Sequence, residues 1–170
     1  MGIVVAATHL HLDQLVALKF MHPEMRAHDE GTQRFLREAR ATAKLRNEHI
    51  ARVLDVGILE NGAPYIVSEF LDGQDLSHVV EASGRLSLAD SIEYIMQACI
   101  GMAEAHARGI IHRDLKPQNL FLTTGPDGRP LIKVLDFGIS KAAGTSVEGL
   151  AQTRTGIVMG SPQFMSPEQM

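Results

Sequence analysis

Apolar positions along the chain change their period near residue 74, which divides it into two regimes. Before that point, β-branched runs alternate with turn signals: Ile3-Val4-Val5, Val16-Ala17-Leu18-Lys19-Phe20, Val53 to Leu59, and Tyr65-Ile66-Val67. Such runs predict strands, and Asn61-Gly62 between the last two predicts a hairpin, because these residues tolerate the positive φ of a tight turn. Thr32 to Arg46 lies between the strand groups, with Phe35, Leu36, Ala39 and Ala43 at helical spacing. The first regime thus predicts strands with one helix packed across them.

The second regime reads as helical. Asp75 predicts the cap of a short helix through Val80, which Gly84 ends. Ser87-Leu88-Ala89-Asp90 opens a long amphipathic helix to about Arg108, with Gly109 as its stop. Ile92, Ile95, Met96, Cys99, Met102, Ala103 and His106 share the face expected to meet a core. Leu120 to Leu122 and Ile132 to Leu135 predict short strands around a turn at Gly125 to Pro130, and the chain after Gly138 is loop-like.

Composition narrows the function. The 170 residues are 45% apolar and 21% charged, an ordinary globular balance, and the net charge of −4 supplies no broad basic surface for nucleic acid. The single cysteine, Cys99, excludes an internal disulfide and a Cys-rich zinc site, and suits a reducing compartment. No run approaches the roughly 18 apolar residues of a membrane span. The apolar opening is short and lacks a basic leader, and Ala6 stands where a myristoylation signal expects Ser or Thr. A cytoplasmic location is therefore expected, with no membrane segment in this chain. The pair His9 and His11 lacks further metal ligands nearby.

The candidate chemistry lies in His112-Arg113-Asp114-Leu115-Lys116-Pro117-Gln118-Asn119 and in Asp136-Phe137-Gly138. These segments combine a carboxylate base with further oxygen donors. Such oxygens suit Mg²⁺, which keeps some waters and shares the phosphate oxygens of a nucleotide. Lys116, close to Asp114, could neutralise charge on a phosphoryl group in flight.

On these motifs the sequence resembles the Ser/Thr protein kinases, and in detail the eukaryotic-type kinases of bacteria. The resemblance implies an α+β, two-lobed fold: a β-rich N-lobe with one helix over 1–67, a hinge over 68–75, and an incomplete helical C-lobe over 76–170. It implies ATP and Mg²⁺ as cofactors, a protein substrate bearing Ser or Thr, and a kinase dimer as one route to trans-autophosphorylation. Val16-Ala17-Leu18-Lys19 resembles the strand whose Lys holds the α- and β-phosphates, and Glu38 resembles its ion-pair partner. Asp114 resembles the catalytic base, Asn119 and Asp136 the metal ligands, and Ser166-Pro167-Glu168 the Ala-Pro-Glu element. Lys116-Pro117 points to Ser/Thr rather than Tyr substrates. Small-molecule phosphotransferases share the His-x-Asp…Asn pattern but generally lack this Lys-Pro pair.

Further assignments follow from the same resemblance. Gly2 and Val4 match the end of the phosphate-covering loop, whose two earlier glycines would precede Met1. Val4 and Ala17 form an apolar roof over adenine, and Phe121 its floor. Ser68 is the gatekeeper, and the backbones of Glu69 and Leu71 offer hydrogen bonds to the ring. Asp75 is either a ribose-binding acid or simply a helix cap. Lys19 read alone could be an edge-strand solubiliser, Glu38 part of a solvated face among Arg34, Arg37 and Arg40, and His112 a packed structural residue. Thr153 and Thr155 resemble an activating pair whose phosphates would recruit Arg113. The family domain continues past Ser-Pro-Glu with several helices, and without them an apolar face of the helix at 88–108 is expected to be exposed. The chain is accordingly expected to be part of a larger kinase; the alternative is a non-catalytic nucleotide-binding or interaction module.

Overall fold

The structure, a computed structural model, describes residues 2–21, 29–137 and 162–167. Among these the chain forms seven strands and three α-helices. Four strands make an antiparallel sheet in the order β1-β2-β4-β3: β1 Ile3–His9, β2 Gln14–Phe20, β3 Val53–Ile58 and β4 Pro64–Glu69. The β1–β2 register runs from Ile3 opposite Phe20 to His9 opposite Gln14, so Val4 faces Lys19 and Ala6 faces Ala17. The Asn61-Gly62 signal is realised in a loop longer than two residues. Gly62 takes φ 79°, and Asn61 Oδ1 accepts from Ala63 N at 3.0 Å.

Helix α1 (Asp29–Thr42) crosses this sheet. Phe35, Leu36 and Ala39 fall on one face because helical residues three and four apart share a side. They form a core with Met21 and Ile66. The helix ends at Thr42, short of the expected Arg46, where Thr42 Oγ1 bonds back to Glu38 O at 3.0 Å.

A second, three-stranded sheet contains β5 (Gly73–Asp75), β6 (Leu120–Thr124) and β7 (Pro130–Val134). Against it pack α2 (Leu76–Ser83) and α3 (Leu88–Ala107). Asp75 caps α2 as its sequence predicts, accepting from Ser77 N at 2.9 Å and His78 N at 3.2 Å. Ser87 caps α3 through Asp90 N. Ile132 and Val134 are fully enclosed, each burial stabilising the fold by about 1.5–3 kcal/mol.

The buried face of α3 differs from the one its apolar pattern suggests. Tyr94, Ala98, Gly101, Met102 and Ala105 are buried, whereas Ile92, Ile95, Met96, Cys99 and Ile100 are exposed. Nearly the whole circumference of this helix is apolar, so periodicity alone admits two opposite stripes. Close approach selects the small-residue stripe: a Cβ on Gly101 would come within 2.9 Å of His49 O.

The two sheets meet where Ile50 bridges Val134. Ala51 N donates to Val134 O at 3.0 Å and Val134 N to His49 O at 2.8 Å. This junction closes one side of the cleft between them. No helix among the described residues is long and apolar enough to cross a membrane.

Candidate functional site

The cleft between the sheets encloses about 260 Å³ and is largely apolar. Its strand-borne residues follow from register. Ala17 and Lys19 alternate along β2 and so point to one side. Val4 and Ala6 lie opposite them on β1. Of the residues expected to bind nucleotide, Val4, Ala17, Lys19, Glu69, Leu71 and Phe121 all line this space, as do Ser68 and Asp136. Thr42, Ala51, Val53 and Ile66 line it as well. No motif points to these four; only the fold brings them there.

Asp114, Lys116 and Asn119 stand beside the cleft and are not among its lining, and three further expected residues also lie outside it. Gly2 begins at the edge of β1, where a Cβ would collide with the carbonyl of Phe20. Asp75 instead uses Oδ1 to cap α2 and Oδ2 to hold His78 Nδ1 at 2.5 Å. The capping alternative is thus realised, and Asp75 faces a separate open concavity with His78, Glu81 and Phe121. Glu38 is the third. Lys19 Nζ pairs with Asp136 Oδ1 at 2.6 Å, and no Lys19–Glu38 ion pair forms. Glu38 is not a partner of Lys19 and is half-buried beside the exposed Arg37. Its buried Oε2 has no hydrogen-bond partner among the described residues, and burial raises its carboxyl above the ordinary range against the opposing pull of Arg113, Arg34 and Arg37.

The segment from His112 to Asn119 is braced from within. Lys116 Nζ reaches Asp114 Oδ2 at 3.1 Å, and both side chains are at least nine-tenths buried. Asn119 Nδ2 donates to Asp114 O at 2.7 Å, which fixes the facing of its amide, while Leu135 N donates to Asn119 O at 2.9 Å. This last bond ties the loop to the residue preceding Asp136. Arg113 and Asp136 both adopt positive φ, 62° and 56°, a conformation that side chains with a Cβ rarely take and that concentrates at functional sites.

His112 is 1% exposed and uses both ring nitrogens. Nε2 lies 2.7 Å from Leu135 O, which only accepts, and Nδ1 accepts from Asp114 N at 3.3 Å. This arrangement requires the neutral Nε2–H tautomer. Its ring also packs against Phe137, with centroids 5.0 Å apart. Burial lowers its pKa below 6.5. A depressed histidine pKa gives stability that is complete above about pH 6.5 and is lost as pH falls below that value. His78, raised by its bond to Asp75, acts with the opposite sign and only above pH 6.5, so the two windows do not overlap. Because the raised Glu38 carboxyl and His78 act with the opposite sign, His112 is isolated by difference: between about pH 7 and pH 5 the melting temperature of wild type is expected to fall relative to that of His112→Tyr. Equal slopes would contradict this role for His112.

Asp136 and Asn119 offer a carboxylate and an amide oxygen, hard donors of the kind Mg²⁺ requires. Among the described residues no group of three or more His, Cys, Asp and Glu side chains could hold a metal. This sparse donor set fits an ion that completes its shell with phosphate oxygens and water. Thr153 and Thr155, together with Gly138 and Glu168, lie outside the described residues.

Comparison with known proteins places this geometry in a family. The protein kinase domain family model matches residues 1–170. The chain is 38% identical over 169 residues to the serine/threonine-protein kinase pkn3 of Myxococcus xanthus, covering 99% of this chain and 31% of that protein. It is 39% identical over 173 residues to the serine/threonine-protein kinase PknA of Mycobacterium tuberculosis, covering 99% of this chain and 38% of the relative. The crystal structure of the Mycobacterium tuberculosis PknI kinase domain superimposes with a TM-score of 0.68 at 34% identity, over 82% of this chain and 55% of that one. The chain thus spans about a third of the length of these curated relatives.

Proposed function

Because this chain belongs to the protein kinase domain family, we propose that the protein containing it transfers the γ-phosphoryl group of ATP to Ser or Thr hydroxyls of protein substrates. One observation carries this reading above the others. Lys19 and Asp136 meet in the cleft, and the bonds of Asn119 and Leu135 tie a braced Asp114–Lys116 pair to the same wall. A cation for phosphates, a base for a hydroxyl and oxygen donors for a metal are therefore joined in one hydrogen-bonded unit.

In this reading the main chain of Glu69 and Leu71 binds adenine between Val4, Ala17 and Phe121, and Lys19 holds the phosphates. Asp114 orients the acceptor hydroxyl and takes its proton as the new O–P bond forms and the bond to the ADP oxygen breaks. Lys116 offsets charge on the transferring group. Asn119 and Asp136 would hold Mg²⁺, which supplies charge neutralisation at the phosphates. Residues 1–67, 68–75 and 76–170 are the corresponding lobe, hinge and partial lobe. Thr153 and Thr155 are the proposed activating phosphosites, acting through Arg113.

A second reading, a nucleotide-binding module without transfer, is favoured by the separation of Glu38 from Lys19. Phosphosite mapping of a generic protein acceptor, after incubation with the full-length protein and ATP, separates the two. The kinase reading expects phosphoserine or phosphothreonine with Mg²⁺ and none with a chelator. ATP binding with an unmodified acceptor would support the module.

A further inference from the structure

Behind the cleft, one ion pair joins the two sheets at the hinge. Lys133 Nζ on β7 bonds Glu69 Oε1, the last residue of β4, at 2.7 Å and a separation of 64 residues. The same oxygen accepts from Arg52 N at 2.8 Å, and Glu69 N donates to Arg52 O at 2.9 Å. Glu69 is thus held by backbone and side chain to Arg52, the residue that precedes β3, and by Lys133 to the other sheet. The two side chains are only 13% and 27% exposed, so water screens them less than a surface pair. Lys133 is in register with Phe121 across β6–β7, and Phe121 lines the cleft floor. The ion pair therefore links the floor of the cleft to the residue that begins its hinge wall.

We infer that Lys133 is a positioning residue for nucleotide: through Glu69 it sets where the hinge main chain stands relative to the floor at Phe121. The inference rests on reading the cleft as the ATP site. Adenine recognition by backbone groups depends on register to a fraction of an ångström, because a hydrogen bond weakens steeply once its distance and angle depart from the optimum. The cleft is open with the ion pair formed, so the pair shapes the site without obstructing it. Lys133 sits on the far side of Glu69 and is not among the cleft-lining residues, so it acts through Glu69 and not by touching the nucleotide.

The test uses the full-length protein with Lys133→Met, which keeps the length of the side chain, and Lys133→Arg, which keeps the charge. Glu69→Gln adds a variant that can still accept from Arg52 N. Lys133→Met is expected to raise both the KM and the Kd for ATP about three- to tenfold. The KM for the protein acceptor and turnover at saturating ATP should each stay within about twofold. Lys133→Arg should return the ATP constants to within about twofold of wild type, and Glu69→Gln should fall between. Melting temperatures without nucleotide separate a loss of register from a loss of folded protein. Unchanged ATP affinity in both Lys133→Met and Glu69→Gln would overturn the inference. So would faster turnover at unchanged affinity, or an affinity loss that merely tracks the unfolded fraction. If wild type binds and uses ATP while Lys133→Met matches it, only this inference fails. If wild type binds no ATP, the reading of the cleft itself fails.

Discussion

Replacing Asp114 with Asn in the full-length protein is expected to lower turnover by about a hundredfold to ten-thousandfold, the range attributed to a positioned general base. ATP affinity should stay within about twofold, because Asp114 does not line the nucleotide cleft. Asn keeps the shape of the side chain and an oxygen for the nearby Asn119 Nδ2, but it has no basic oxygen to take a proton. A second consequence follows from burial. Lys116 is 7% exposed, and beside a neutral amide its charge would lose its compensation, so the melting temperature should fall as well. Steady-state kinetics, nucleotide titration and thermal melts on one preparation check all three expectations. An ATP affinity that collapses together with turnover would contradict this role.

Lys19→Met is expected to cost about a hundredfold to a thousandfold in kcat/KM for ATP, comparable to removing one preorganised donor from a charged transition state. Folding should survive, since Met fills the volume of the Lys stem along β2 and the ammonium is the only polar group lost. Glu38→Gln reports whether the arrangement seen here persists during turnover. If Lys19 stays on Asp136, the loss should be small. A loss as large as that of Lys19→Met would mean that Lys19 exchanges Asp136 for Glu38 in the working state. Nucleotide titration alongside kinetics distinguishes these outcomes, and near-normal activity of Lys19→Met would remove Lys19 from the mechanism.

What could be read before the structure was local chemistry. Asp75 and Ser87 announce helix starts because their side chains satisfy the first free N–H groups, and both cap as expected. The string from His112 to Asn119 is legible because Asp114, Lys116 and Asn119 brace one another within five residues. The misreadings involve choices between distant partners. The face α3 buries depends on which stripe lets His49 and β7 come close, a property of volume that a count of apolar residues does not contain. Lys19 meets Asp136 rather than Glu38, although both carboxylates were visible in the chain. Thr42, Ala51, Val53 and Ile66 reach the cleft only through strand pairing and helix docking. The link between Lys133 and Glu69 spans 64 residues and has no sequence signal beyond opposite charge.

The central claim, that the braced Asp114–Lys116 loop and the Lys19–Asp136 cleft together transfer a phosphoryl group, is tested most directly by following two labels. The full-length protein, wild type and Asp136→Asn, would be incubated with Mg²⁺, a generic protein acceptor and ATP labelled at either the α- or the γ-phosphate. The account predicts γ-label on Ser or Thr of the acceptor with wild type, no α-label, and transfer reduced by at least about a hundredfold in Asp136→Asn. Label transferred equally well by Asp136→Asn, or bound nucleotide with no γ-label on the acceptor, would contradict it.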